Sequence, residues 1–264
     1  MVYFAPINPI LFLQKMIFLM VYIFVEFYTI KFFLLPYFQN YQLNHTIGLI
    51  FTIYWLFISL TWLKSYFHVS WLDAGSVKNE IKRLSLIFNQ NVLENKLKNL
   101  TLCQKCGIHK PNRSHHCSHC KRCYIRFDHH CPSVGNCIAY RNAQPFALYL
   151  SYGSIILFST SLVSFFAPYF ESPIQVSLAR SIAVLIGLCA FALSLFAYNT
   201  LSSLMNDQTT LERLYRLKTG HNVQGEDLKP FWGNSPFIWI IPHSPSMNGL
   251  IWSKSVSLGN QNIL

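Results

Sequence analysis

Four long apolar stretches govern what this chain can fold into. They lie within about Ile10 to Phe33, Ile47 to Leu63, Phe146 to Tyr169 and Ile182 to Met205. Each approaches the ~20 residues an α-helix needs to cross ~30 Å of hydrocarbon. The apolar residues run in blocks rather than at amphipathic spacing, which reads as lipid-facing helix and not as one face of a soluble core. Composition agrees: 52% of the 264 residues are hydrophobic and 12% are charged, about half the roughly 25% usual in soluble domains. The second stretch is the shortest, with Trp62 and Tyr66 placed to anchor its end at the interface. The first is interrupted by Lys15, Glu26 and Lys31. A lysine near a span end can snorkel to the headgroups. Glu26 lies well inside, so it either faces other helices or marks a misplaced boundary. The segment lacks the short basic leader and small-residue cleavage site of a signal peptide.

The net charge of +11 would suit nucleic acid in a soluble protein, but in a membrane protein the position of Lys and Arg matters more than their sum. The segment His68 to Gln144 holds 12 of the 21 basic residues. The chain after Met205 adds Arg213, Arg216, Lys218, Lys229 and Lys254, while Tyr37 to His45 and Phe170 to Ala179 contain none. The expected topology puts both termini and the large middle segment in the cytoplasm, with anionic headgroups beside the basic residues. No nucleic-acid partner is expected. Asn44-His45-Thr46 is a glycosylation pattern in an expected non-cytoplasmic loop, close to the bilayer.

Seven of the eight cysteines fall between Cys103 and Cys137, with five histidines interleaved among the last five of them. Two Cys-x-x-Cys pairs followed by spaced Cys and His have the type and spacing of tetrahedral zinc ligands. A disulfide framework is disfavoured by the reducing side of the membrane and by the odd count. A Cys2His2 finger wants about 12 residues between its cysteine pair and first histidine, and here eight separate Cys106 from His115. A zinc deaminase needs a His-x-Glu that this sequence lacks. Two structural sites need eight ligands, which six cysteines and two histidines supply as two Cys3His sets, leaving one thiol free. The run Asp128-His129-His130-Cys131 suggests which: a thiol beside imidazole and carboxylate has the parts of an activated nucleophile.

Around that run the sequence resembles the DHHC-type protein S-acyltransferases. The likeness extends over Cys103-x2-Cys106, Lys110-Pro111-x-Arg113, His116-Cys117-x2-Cys120-x2-Cys123, Asp128-His129-His130-Cys131-Pro132, Asn136-Cys137 and Asn142, with Thr209-Thr210-Leu211-Glu212 after the fourth span. The resemblance implies an all-α multi-pass fold of four transmembrane helices, with a cytoplasmic, zinc-stapled cysteine-rich domain between spans 2 and 3. The division expected is 1–67 for the first two spans, 68–145 for the zinc domain, 146–206 for the last two spans and 207–264 for a cytoplasmic tail. It also implies two structural zinc ions, one held by Cys103, Cys106, His116 and Cys123, the other by Cys117, Cys120, His130 and Cys137. The implied activity is two-step S-palmitoylation. Cys131 takes a long-chain acyl group from palmitoyl-CoA and passes it to a membrane-proximal cysteine of a substrate protein, with His129 as general base and Asp128 orienting it. The setting implied is an endomembrane (ER or Golgi) or the plasma membrane.

Three features depart from the family pattern. Ser133 stands where a Trp is usual, Asp73-Ala74-Gly75 replaces Asp-Pro-Gly, and the C-terminal motif is only suggested by Asn222 and Phe231-Trp232-Gly233-Asn234. Thr209 to Glu212 also reads as a helix capping box. Lys121, Arg122 and Arg126 read either as solvated cations or as contacts for CoA phosphates or lipid headgroups. Cys189, inside the fourth span, reads as packing. The competing readings are a zinc-stabilised membrane scaffold without chemistry and a RING-type ubiquitin ligase, whose central spacer is longer than Cys106 to His116.

Overall fold

The computed structural model describes residues 2–6, 9–31, 45–86, 88–166, 172–220, 229–233 and 236–254. The Asn44 pattern, Asn222 and Asn234 lie outside the described residues or depend on ones that do. Four helices are long and apolar enough to cross a membrane: α1 (Pro9–Thr29), α2 (His45–Trp71), α5 (Ala143–Phe166) and α6 (Pro173–Met205). Between α2 and α5 come two short helices, α3 (Val77–Ser85) and α4 (Gln90–Lys98), and then three antiparallel hairpins of three-residue strands. The hairpins are β1–β2 (Thr101–Cys103 with Ile108–Lys110), β3–β4 (His115–Cys117 with Arg122–Tyr124) and β5–β6 (His129–Cys131 with Asn136–Ile138). After α6 the chain forms α7 (Thr210–Thr219). The protein is thus a mostly helical, four-span membrane protein whose cysteine-rich segment lies between spans 2 and 3.

The helix α2 runs eight residues beyond the apolar stretch, to Trp71, and its protruding end carries the hairpin domain. The last carbonyls of a helix have no partner within it, and here they are bound from outside. Asn136 Nδ2 donates to Val69 O at 2.8 Å and Leu72 O at 2.9 Å, Ala5 N donates to Trp71 O at 2.8 Å, and Lys15 Nζ donates to Ser70 O. Lys15 therefore does not snorkel. It is 2% exposed, with its ammonium 4.9 Å from the Trp71 ring centre, where a cation favours the negative end of a helix dipole. Glu26 does face a neighbouring helix, accepting from Trp55 Nε1 at 2.9 Å and Ser59 Oγ at 2.7 Å. Tyr22 stacks on Trp62 with ring centres 4.7 Å apart. These contacts hold α1 to α2, while most apolar side chains of α1 and α6 point outward to lipid.

A fully buried carboxylate, Glu80 of α3, ties the end of the domain together. It pairs with Arg141 (Nε–Oε1 2.5 Å, Nη2–Oε2 3.0 Å) and with Arg83, and accepts Gly249 N–H at 2.9 Å. Burial alone would raise its pKa, but Arg141, then Arg83 and the Gly249 amide outweigh it, so the folded pKa lies below the ordinary value. Because the folded value is depressed, this stabilisation is complete above about pH 4.3 and is lost as pH falls through the folded value. Removing one partner of a buried pair costs about 3–5 kcal/mol because the other charge stays buried. Glu80→Gln therefore lowers the thermal midpoint of the detergent-solubilised protein by several degrees at neutral pH, measured by tryptophan fluorescence. A midpoint equal to wild type would show that the pair holds nothing.

Candidate active site and metal centres

Each hairpin turns on one residue in the left-handed region. Gly107 (φ 65°) follows the pair Cys103-x2-Cys106, and Lys121 (φ 52°) follows Cys117-x2-Cys120. Gly135 (φ 60°) closes the 3₁₀ turn Pro132–Val134 between β5 and β6. In the first, Cys106 N and Gly107 N donate to Cys103 O at 3.2 and 2.8 Å, which curls the loop so that both sulfurs face inward. The turns bring together two groups of donors, Cys103, Cys106, His116, Cys123 and Cys117, Cys120, His130, Cys137, with the donor atoms of each group within 4.8 Å of one another. These are the two sets that the resemblance implies.

A tetrahedron with bonds of about 2.3 Å to sulfur and 2.0–2.1 Å to nitrogen has edges of roughly 3.5–3.8 Å. In the first set Nδ1 of His116 lies 3.0, 3.8 and 3.9 Å from the sulfurs of Cys106, Cys103 and Cys123. In the second, Nδ1 of His130 lies 3.4 and 3.7 Å from Cys120 and Cys137, whose sulfurs are 3.4 Å apart. None of the cysteines forms a disulfide. Three thiols and one imidazole at these spacings fit a tetrahedral divalent ion, so each cluster can hold a metal.

Strand β5 separates the two kinds of chemistry. Successive side chains of a strand point to opposite faces, so His130 goes to the second donor set while His129 and Cys131 share the other face. Cys131 belongs to neither set. Asp128 Oδ2 accepts from His129 Nδ1 at 2.8 Å, which leaves Nε2 of the ring for the thiol. The other carboxylate oxygen, Oδ1, accepts the backbone N–H of Thr210 at the start of α7. Burial opposes charge on all three groups. For Asp128 the hydrogen bond and charge of His129, with Thr210 behind them, outweigh burial and lower the pKa. Asp128 and the Cys131 sulfur push His129 up to about 9. His129, Ser133 and the Val134 amide draw the Cys131 thiol below its ordinary value. The arrangement shifts both groups towards a thiolate–imidazolium pair.

Cys131 is 8% exposed, packed with Val69, Val134, Ile138, Phe146 and Leu150. Beside it an apolar cavity of about 380 Å³ opens among the spans, walled by Phe18 and Tyr22 of α1, Trp62 of α2, Tyr149 of α5, Phe196 of α6 and Ser133.

Motif residues whose partners the sequence did not show, together with Asp207, hold this site. Arg113 binds Asp207 (2.6 Å) and Glu212 (2.6 Å), and Arg126 binds Asp207 (2.8 Å), all almost without exposure. Arg126 is thus a buried partner of the segment after the fourth span, neither solvated nor free for phosphates or headgroups, whereas Lys121 is exposed. Thr209 and Glu212 do form the capping box, and Glu212 also takes the Arg113 bond. Asn142 links the last hairpin to α5, accepting Ala139 N–H at 2.9 Å and donating to Cys137 O at 2.8 Å. Asp207 belongs to no motif, so no sequence signal singled it out. Cys189 is exposed on the outer surface of α6 and does not pack.

Membrane-spanning helices carrying a double Cys3His domain, with a free thiol against an imidazole–carboxylate pair, define a class of integral membrane protein with thiol chemistry at its zinc-type domain. The profile of the DHHC palmitoyltransferase family matches residues 96–216. Probable protein S-acyltransferase 12 of Arabidopsis thaliana is 30% identical over 213 residues, covering 74% of this chain and 72% of that protein. Palmitoyltransferase ZDHHC15 of Homo sapiens is 28% identical over 253 residues, covering 83% and 75%. Palmitoyltransferase ZDHHC7 of Mus musculus is 32% identical over 155 residues, covering 53% and 50%. The chain belongs to the DHHC palmitoyltransferase family.

If both donor sets hold metal, the purified protein carries two zinc ions per chain by elemental analysis. Cys120→Ala and Cys106→Ala each reduce that number, while Cys131→Ser leaves it at two.

Proposed function

We propose that this protein is a protein-cysteine S-palmitoyltransferase in which Cys131 is the nucleophile, His129 the general base and Asp128 its orienting partner. The observation that carries the reading is the free thiol of Cys131 against the His129–Asp128 pair, while His130 between them belongs to a donor set. Zinc is the metal proposed for both sets, and when bound it would staple the hairpins so that β5 is rigid. The domain division proposed follows the spans, with 1–67 and 146–206 in the bilayer and 68–145 and 207–264 cytoplasmic. The concentration of Lys and Arg in the middle segment and after the fourth span supports that orientation.

In the first step the Cys131 thiolate attacks the thioester carbonyl of a long-chain acyl-CoA. A sulfur–carbon bond forms on the enzyme, the bond to CoA breaks, and His129 hands its proton to the departing CoA thiolate. In the second step a substrate cysteine attacks the acyl-enzyme, His129 removes its proton, and Cys131 leaves as thiolate. Thioester exchange is nearly isoenergetic, so the burden on the protein is position and an anionic nucleophile. The apolar cavity suits the acyl chain, each methylene gaining about 0.8 kcal/mol on burial. The protein substrates that fit are those whose cysteine lies near the membrane surface, within reach of Cys131.

Full-length protein in detergent, incubated with labelled palmitoyl-CoA, acquires a hydroxylamine-sensitive label that Cys131→Ser lacks. His129→Ala slows labelling by about 10²–10⁴-fold, the usual contribution of a positioned base. A wild-type protein with two zinc ions and no label would support the scaffold reading instead.

Thr210→Pro tests the carboxylate's support. Thr210 is the first residue of α7, where proline is tolerated, and Thr209 before it is already extended (φ −88°, ψ 161°). The variant removes both contacts of Thr210 with Asp128, the backbone N–H and the hydroxyl. Labelling slows about tenfold or more, each charge-assisted hydrogen bond lost being worth ~1.5 kcal/mol, with the thermal midpoint nearly unchanged.

A further inference from the structure

The turn that follows Cys131 brings a hydroxyl back onto the sulfur. Pro132 opens it, Gly135 closes it with its N–H on Pro132 O at 3.1 Å, and Val134 is fully buried beneath it. From outside, α1 presses on it: a side chain at Gly135 would meet Lys15 Cε at 3.1 Å and Leu11 Cβ at 3.4 Å. In the turn so clamped, Ser133 Oγ lies 3.0 Å from Cys131 Sγ. The same residue forms part of the wall of the apolar cavity, where the other lining side chains are aromatic or aliphatic, or a glycine. The hydrogen-bond partner the structure gives this hydroxyl is the reactive sulfur. Ser133 is itself exposed, so its hydroxyl is open to a polar group that arrives in the cavity. The arriving acyl group supplies one, because a chain lying in the cavity with its carbonyl carbon at Cys131 puts the carbonyl oxygen within reach of the same O–H.

We propose that Ser133 is a catalytic residue that donates its O–H to the reacting centre, to the sulfur in the free enzyme and to the thioester oxygen as charge gathers there. This rests on the acyl-transfer reading of Cys131. In each transfer one carbon–sulfur bond forms as another breaks, the proton travels by way of His129, and the O–H bond of Ser133 stays intact. The donor is worth more on the developing oxyanion than on the neutral carbonyl, so it acts on turnover and not on acyl-CoA binding.

The test compares wild type, Ser133→Ala, Ser133→Thr and Cys131→Ser in full-length protein, following pre-steady-state labelling by palmitoyl-CoA across a concentration series. Zinc content and thermal midpoint are measured alongside. The expected result is that Ser133→Ala lowers the maximal acylation rate about tenfold, less than the 10²–10³ of a dedicated oxyanion donor, with half-saturation unchanged. Ser133→Thr, which keeps the hydroxyl and adds a methyl, regains most of the rate. The proposal is overturned if Ser133→Ala acylates like wild type, if only half-saturation moves, or if Ser133→Thr is as slow as Ser133→Ala. A hydroxylamine-resistant label that disappears in Ser133→Ala also overturns it, since the serine would then be an acceptor. Cys131→Ser separates the two readings: label persisting there overturns the role of Cys131 itself, whereas its loss leaves that role standing whatever the Ser133 variants do.

Discussion

The period-two alternation of one short strand governs the rest of this structure. Because β5 turns His130 to one side and His129 with Cys131 to the other, a single backbone segment serves a donor set and the proposed nucleophile without mixing them. Shifting the register by one residue would exchange the two faces, placing Cys131 where a ligand belongs. Register is held on both sides of the strand. Asp128 N donates to Ile138 O at 2.9 Å, and the pairing aligns His129 with Ile138 and Cys131 with Asn136. Asn136 in turn grips the last carbonyls of α2, so the strand is indexed to the membrane helix beneath it.

Membrane and domain are joined by buried polar contacts between residues far apart in the chain. Arg113 and Arg126 share Asp207, and Arg113 also takes Glu212, which fastens the end of the fourth span to the loops around β3–β4. Such groups are costly to bury singly and acceptable only when satisfied together. The start of α7 is thereby fixed where its Thr210 N–H meets Asp128, so the carboxylate that orients His129 depends on the residues that anchor α7. At the other end Glu80 draws Arg141 and the Gly249 amide into one cluster beside the end of α2.

Much of this was legible in the sequence, for identifiable reasons. The spans follow from uninterrupted apolar runs, because lipid selects on composition alone. Their ends were less legible, since α2 continues past its apolar run through Lys64, which is exposed, and Ser65 and His68, which are buried. The two donor sets were legible through spacing and family likeness. The hairpins were not, because three-residue strands arise from the cysteine knuckles and carry no period to read. Lys15 misled: near a span end it suggested a headgroup contact, and only the exposed carbonyls of α2 explain why it turns inward. Asp207 and Glu80 were silent because Arg113 and Arg126 lie 94 and 81 residues from Asp207, and Arg141 lies 61 residues from Glu80. Ser133 was visible as a departure from the family pattern, but its approach to the sulfur depends on a turn that sequence alone does not draw.

The two donor sets are threaded through each other. Cys117 and Cys120 of the second lie inside the loop that His116 and Cys123 of the first close. During synthesis the first set is complete once Cys123 has emerged, yet the nested pair then waits for His130 and Cys137, the last of them just before the third span begins at Ala143. Metal loading and insertion of the second pair of spans are therefore neighbours in time as well as in sequence. A chain halted between Cys123 and Cys137 would hold one complete donor set with the Cys117–Cys120 pair of the other still open.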